Sequence, residues 1–309
     1  SAVIAKKTGN SAERSRKIAA IIAKDKFNPG ANVELAGDAF MKRNYKLAKT
    51  YYNRALARDS DNEDALFGLG QTEYYLENDD SAKKSLEKLL EKNPDYAPAY
   101  LYLGKIAAAN NEYKIASDYA KTAIEKDPTQ YDYFMDYGMY ERYLGHYDAA
   151  EEAWTQAIQI ESGYFLAYAY RAGLYDERNM FPQALADYKK VVELNPEYYF
   201  AHESLGVLAL HEKQWSTARA SFEECYKKNP ANVSYPLMVT YCYYMEGNDI
   251  EARNFSNQAL RVMDRNTIEY TMLRVYHDKA GEMPLPQRIA ALKNRNLRGK
   301  MYFYLGLFY

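Results

Sequence analysis

Four histidines, two cysteines and a few closely spaced carboxylates are the residues of this 309-residue chain whose chemistry could reach beyond packing. A histidine site for metal or proton transfer needs its ligands on one turn, as in His-Glu-x-x-His, or beside paired cysteines. His146, His202, His211 and His277 meet neither pattern and read as surface or core side chains. Cys225 and Cys242 lack the Cys-x-x-Cys spacing and read as reduced thiols in helix packing. Asp59, Asp61 and Glu63 open like a calcium loop, but the glycine that bends such a loop is Asp64 here, and its closing glutamate is Gly70. Gly68-Leu69-Gly70 falls inside a predicted helix, without the strand and third glycine of a phosphate loop. No Gly-x-Ser-x-Gly elbow is present. The pattern points away from catalysis, and to no metal and no cofactor.

Charge and composition narrow the partner class. The net charge is -2, yet residues 1–28 carry seven basic and two acidic side chains, and residues 283–309 carry five basic and no acidic ones. The long middle is therefore acidic, which disfavours nucleic acid along its length, where a basic stripe would be needed. No apolar run reaches the roughly 18–20 residues that span a bilayer, so the sequence reads as a soluble chain of cytoplasm or bacterial periplasm, without direct membrane insertion. Tyrosine is abundant, with 33 copies against 11 Phe and 2 Trp. A phenol packs its ring while keeping its hydroxyl wet, so many helix surfaces must lie at the border of the core.

The elements that carry these side chains are set by a period. Ala48, Ala82, Ala116, Ala150, Ala184, Ala218 and Ala252 each follow the last by 34 residues. With this alanine as position 20, seven units run from 29 to 266. Position 8 then reads Ala36, Gly70, Gly104, Gly138, Ala172, Gly206 and Thr240, and position 32 is Pro, Ser or Asp. Small residues at positions 8 and 20 let two antiparallel helices cross closely. Larger ones at positions 4 and 24, such as Tyr100, Phe134, Trp154, Tyr188 and Phe222, fill the space on either side. Polar or glycine residues near position 15, as in Asn110-Asn111 and Gly145, mark the turn between the helices.

Leu69-Gly70, Ala82, Leu86, Leu89 and Pro94 in the second unit, with Leu103-Gly104, Ala116, Ala123 and Pro128 in the third, carry a resemblance to the tetratricopeptide repeat family. That resemblance implies an all-α, right-handed α-solenoid of tandem helix-turn-helix units. The expected organisation is an N-terminal segment with a capping helix over 1–28, seven repeats over 29–266 and a divergent eighth repeat over 267–296. The start of a further repeat or a capping helix follows over 297–309. Asn10 and Glu13 form the expected capping box of the first helix, and helices are expected near 268–279 and 286–294.

In the family, positions 2, 5, 6, 9, 12 and 13 of each first helix line a concave groove. The resemblance therefore implies a partner-binding face built from Tyr74, Tyr75, Tyr102, Lys105, Met139, Arg142, Tyr143, Tyr170, Tyr241 and Tyr244. Phe67, Gln71, Leu101, Met135, Asp136, Asp176, Glu177, Glu203, His211, Leu237, Met238 and Met245 fall on the same positions. Aromatic and Met side chains with a few charges suit an amphipathic peptide or protein segment. The Lys, Asn and Arg cluster with which chaperone-binding members hold a terminal carboxylate is not assembled here; Lys105 and Arg142 are left as a pair able to hold one carboxylate. Arg171 at position 7 and Glu141 at position 11 break the pattern, and an inward charge needs a partner, so the two are expected to form an ion pair between the fourth and fifth repeats.

The sequence thus reads as a non-enzymatic protein–protein interaction scaffold or adaptor. Two alternatives share its features: the partner-selecting repeat region of a larger enzyme or of a secretion or assembly machine, and a self-assembling structural protein joined through its C-terminal repeat. Ser1 without an initiator Met reads as a mature or engineered start. The apolar 301–309, with Phe303, Leu305, Leu307, Phe308 and Tyr309, reads as the cut edge of a fragment or as an end covered by a partner or another copy.

Overall fold

The computed structural model describes residues 11–309, all helix and turn with no strand among them. Asn10 of the expected capping box lies outside the described residues. The chain divides into two compact units, 1–161 and 162–309, where the sequence reads a single array. Unit 1 contains α1 (Ser11–Lys24), α2 (Pro29–Met41), α3 (Tyr45–Arg58), α4 (Glu63–Tyr75), α5 (Asp79–Lys92), α6 (Ala97–Ala109), α7 (Tyr113–Lys126), α8 (Tyr131–Tyr143) and α9 (Tyr147–Ile160). Unit 2 contains α10 (Phe165–Glu177), α11 (Phe181–Leu194), α12 (Tyr199–His211), α13 (Trp215–Lys228), α14 (Ser234–Met245), α15 (Asp249–Val262), α16 (Ile268–Asp278), α17 (Leu285–Ala290) and α18 (Arg295–Phe308).

Each first helix packs on its own second helix, which packs in turn on the next first helix of the same unit. All seven ladder alanines are fully buried. The reason is backbone approach: a Cβ at Gly104 would stand 3.2 Å from the carbonyl oxygen of Ala116, and one at Gly70 would stand 3.5 Å from that of Ala82 and 2.7 Å from Leu86. The turn between paired helices is equally regular. Arg43, Glu77, Asn111, Gly145, Asn179, Lys213 and Gly247, all at position 15, have positive φ. In the first of these turns the Arg43 amide donates to the Phe40 carbonyl and the Asn44 amide to the Ala39 carbonyl, a left-handed cap that reverses the chain. Several helix starts are capped by asparagine, as where Asn28 accepts from Ala31 N and Asn62 from Ala65 N, both at 3.0 Å.

The ends depart from the repeat. α1 packs against α2 in the place of a second helix: Ile18, 34 residues before Tyr52, is buried, and Arg14 stands 34 residues before Ala48. At the other end α17 stops at Ala290, shorter than the expected 286–294, because Asn294 instead caps α18 by accepting from Leu297 N. α18 packs on α14, α16 and α17 and leaves Tyr302 and Phe303 exposed. Cys225 and Cys242 are free, fully buried thiols, and burial pushes both up to about 12.

Candidate partner-binding face

In unit 1 the first helices α2, α4, α6 and α8 bring most of the expected residues together. Tyr74 meets Tyr75 and Tyr102 edge-on, at centroid separations of 5.3 and 5.6 Å, and Phe67 meets Tyr102 at 5.8 Å. Burial raises the pKa of the Tyr102 hydroxyl. Tyr75 stacks in turn on Tyr45, 5.1 Å apart and 8° from parallel, and Phe40 closes the group at 5.6 Å from Tyr75. Tyr74 and Tyr102 are thus half-buried seals between helices, while Tyr75 is 46% exposed at the edge.

The next two first helices repeat the arrangement. Tyr143, 63% exposed, stacks on Tyr113 at 4.5 Å and 13°. In both stacks a position 17 ring at the start of a second helix supports a position 13 ring at the end of the following first helix. The inward-position rule used on the sequence covers only first helices, so it missed Tyr45 and Tyr113. The signal was present, since position 17 reads Tyr45, Tyr113, Tyr147, Phe181 and Trp215 in five of the seven units. In unit 2 the same two positions bring Phe181 against His211 at 4.8 Å.

The charged residues are committed within the protein. The Lys105 ammonium lies 3.0 Å from Asp136, a charge contact rather than an aligned hydrogen bond. Burial opposes the charge on Lys105, yet Asp136 outweighs it and the net shift is upward; burial also raises Asp136, against the pull of Lys105. The carboxylate that the sequence assigned to a ligand of Lys105 and Arg142 is therefore supplied, at Lys105, by Asp136. Met139 packs against the Tyr140 cluster, and Arg142 is half-buried on the same helix.

The Arg171–Glu141 pair expected from sequence would join the two units, and each of the two residues has partners within its own unit. The counter-ion of Arg171 is Asp187, on the second helix of its own repeat, with Nε at 2.7 Å and Nη2 at 2.8 Å. Tyr168 and Tyr175 lie beside the guanidinium, 5.9 and 5.8 Å from its carbon to their ring centroids. Glu141, buried, accepts from the Ser117 hydroxyl and meets His146 Nδ1 at 2.8 Å. Glu73 in the second repeat does the same with Lys49 and Asn78. A position 11 carboxylate thus faces position 21 of the preceding repeat and position 16 of its own.

In unit 2, Tyr170 is exposed on α10. Tyr241, against Trp215 at 6.0 Å, and Tyr244 line a cavity of about 300 Å³ with Met245, Tyr276, Lys279, Leu307 and Phe308. The Tyr244 hydroxyl donates to the Tyr276 carbonyl at 2.8 Å, and Lys279 Nζ lies 4.0 Å from the Tyr244 ring centroid and 2.8 Å from Asp249. Among the described residues no group of three or more His, Cys, Asp or Glu is placed to hold a metal ion, and no helix is long and apolar enough to cross a membrane.

Comparison with known proteins agrees with this geometry. A tetratricopeptide repeat model matches residues 33–82, 70–131 and 171–233, together more than half of the chain. Human tetratricopeptide repeat protein 6 is 27% identical over 179 residues, 57% of this chain and 34% of that one. Hsp70-Hsp90 organizing protein 2 of Arabidopsis thaliana is 23% identical over 238 residues, 64% of this chain and 41% of that protein. The chain thus spans between a third and two fifths of the length of these relatives. Among solved structures, the C-terminal part of a repeat protein from Cytophaga hutchinsonii superposes with a TM-score of 0.60 at 18% identity, over 77% of this chain and 98% of that one. Pseudomonas aeruginosa pilF does so with a TM-score of 0.50 at 20% identity, over 71% and 99%. The period, the close helix crossings, the left-handed turn at position 15 and the matching model have one explanation: the chain belongs to the tetratricopeptide repeat family.

Proposed function

We propose that this chain is a non-catalytic scaffold whose first-helix face in unit 1 holds a segment of a partner protein. The observation that carries the reading is the supported ring at the end of every second first helix: Tyr75 on Tyr45 and Tyr143 on Tyr113, each stacked from behind and open in front. A ring fixed by a second ring has little rotamer freedom left to lose on binding, so its apolar area converts efficiently into affinity. Relatives named for organising Hsp70 and Hsp90 support a protein as the partner. Position 5 of unit 1 is Val33, Phe67, Leu101 and Met135, a surface for side chains rather than for a terminal carboxylate.

Replacing Tyr75 and Tyr143 together by serine weakens partner capture at least tenfold in a pulldown, because stacked aromatic anchors are the residues on which interface energy concentrates. The circular-dichroism melt stays close to that of the unaltered protein, since both rings are exposed. Tyr241→Ser asks the same question of unit 2. An unchanged partner set in the Tyr75 and Tyr143 double variant places the binding surface elsewhere.

A further inference from the structure

The cavity at the start of unit 1, between α2 and α4, is larger than packing requires. It has a volume of about 410 Å³, and Val33, Phe67 and Met41 provide its apolar walls. Two glycines open it. Nothing lies within 4 Å of where a Gly37 Cβ would stand, and a Gly68 Cβ would fall 2.2–2.4 Å from the Tyr52 ring and hydroxyl. Tyr52 rises from α3 beneath, 6% exposed, and its hydroxyl forms the floor at Gly68. That hydroxyl has no hydrogen-bond partner among the described residues. It is open to the cavity, where it can meet a ligand's polar atom.

The charge of the lining fixes the sign of that atom. Among the described residues, Glu34, Asp38 and Asp64 line the cavity together with one guanidinium, Arg14. Arg14 is matched on α2: its Nη1 lies 2.7 Å from Asp38, and its Nε donates to Glu34 at 3.1 Å. Asp64, on the α4 wall, has no counter-ion among the described residues.

We propose that this pocket receives the arginine side chain of a basic segment in a partner protein. The inference rests on the binding face described above and adds a chemical class to it. The methylene stem lies along Val33 and Phe67, whose ring also attracts the cation. The guanidinium donates to the Asp64 carboxylate and to the Tyr52 hydroxyl oxygen, a planar donor set meeting two acceptors at different depths. Arg14 shows the same chemistry within the chain, a guanidinium held by two carboxylates of α2. An anionic side chain would find Arg14 already neutralised and Asp64 repelling it.

The test uses a blocked peptide of glycine, proline and arginine, compared with the same peptide carrying citrulline, which keeps the shape and removes the charge, or glutamate. Binding is titrated against the full chain and read from the amide NMR signals of Gly37 and Gly68. The arginine peptide moves both signals and binds about tenfold or more tightly than the citrulline peptide. Tyr52→Phe, which keeps the ring against Gly68, and Asp64→Asn each weaken it roughly fivefold or more. Gly37→Leu fills the cavity from its open side and removes the shift at Gly68. Equal binding of arginine and citrulline peptides, or Tyr52→Phe and Asp64→Asn variants that bind unchanged, overturns the pocket. The wider face is tested independently by the Tyr75 and Tyr143 variant.

Discussion

Trp154→Ala lowers the stability of unit 1 by about 3–5 kcal/mol, the range for truncating a buried aromatic side chain. Trp154 is 1% exposed and fills the gap between α8 and α9 beneath Gly138, where its Nε1–H donates to the Met135 carbonyl at 3.3 Å. Removing the indole leaves a cavity and takes one hydrogen bond away with it. The site offers an internal control, because a Cβ at Gly138 would stand 2.6–2.9 Å from the indole. Gly138→Ala is therefore destabilising alone and close to neutral in the Trp154→Ala background, a coupling that a double-mutant cycle in urea reads directly. Additive losses would show that the two residues do not share the site as described.

Asp187→Ala costs about 3 kcal/mol in unit 2. The pair it breaks is largely buried, with side-chain exposures of 16% for Arg171 and 8% for Asp187. Removing the carboxylate takes away both hydrogen bonds that Asp187 accepts from a guanidinium lying beside Tyr168 and Tyr175. Breaking such a pair costs more than the pair is worth, so the double change Arg171→Met with Asp187→Leu recovers most of the loss. Denaturation midpoints of the two variants decide the matter. A double variant as unstable as Asp187→Ala would mean that the ion pair contributes more than apolar packing in its place can.

These two sites also show how far the amino-acid sequence carries. The buried alanines and the small residues opposite them were legible, because close crossing of two backbones admits only a few side chains and the requirement recurs every 34 residues. The turn was legible for the same reason, although only the structure shows that Arg43, Glu77 and Lys213 adopt the left-handed conformation that Gly145 and Gly247 adopt more readily. The partner of Arg171 was not. Sequence placed Glu141 on the neighbouring first helix as its counter-ion, but position 7 faces position 23 of its own repeat, and Asp187 occupies that place. The rule for Glu141 was hidden in a spacing of 24 residues, shared by Lys49 with Glu73 and by Ser117 with Glu141.

The candidate face was half legible. Inward positions of the first helices grouped Tyr75 and Tyr143, which are exposed, with Tyr74 and Tyr102, which seal helices, and did not tell the two kinds apart. What the position rule could not supply was depth. Tyr52 reaches the face from a second helix because Gly68 leaves room for its ring, and no single repeat read alone shows that route. Likewise α1, expected as the capping helix, carries Arg14 one period before Ala48, a register the sequence reading did not extend to it, and Arg14 lines the pocket.

A partner protein held on the first-helix face of unit 1, as proposed, lies within reach of a crosslinker placed there. The most direct measurement places a photo-crosslinking benzoyl-phenylalanine at position 75 or 143, and at the exposed Lys121 on α7 as the control surface. Capture of one and the same protein from positions 75 and 143, and its absence from position 121, is the predicted result. Capture from position 121 with none from 75 or 143 would contradict it.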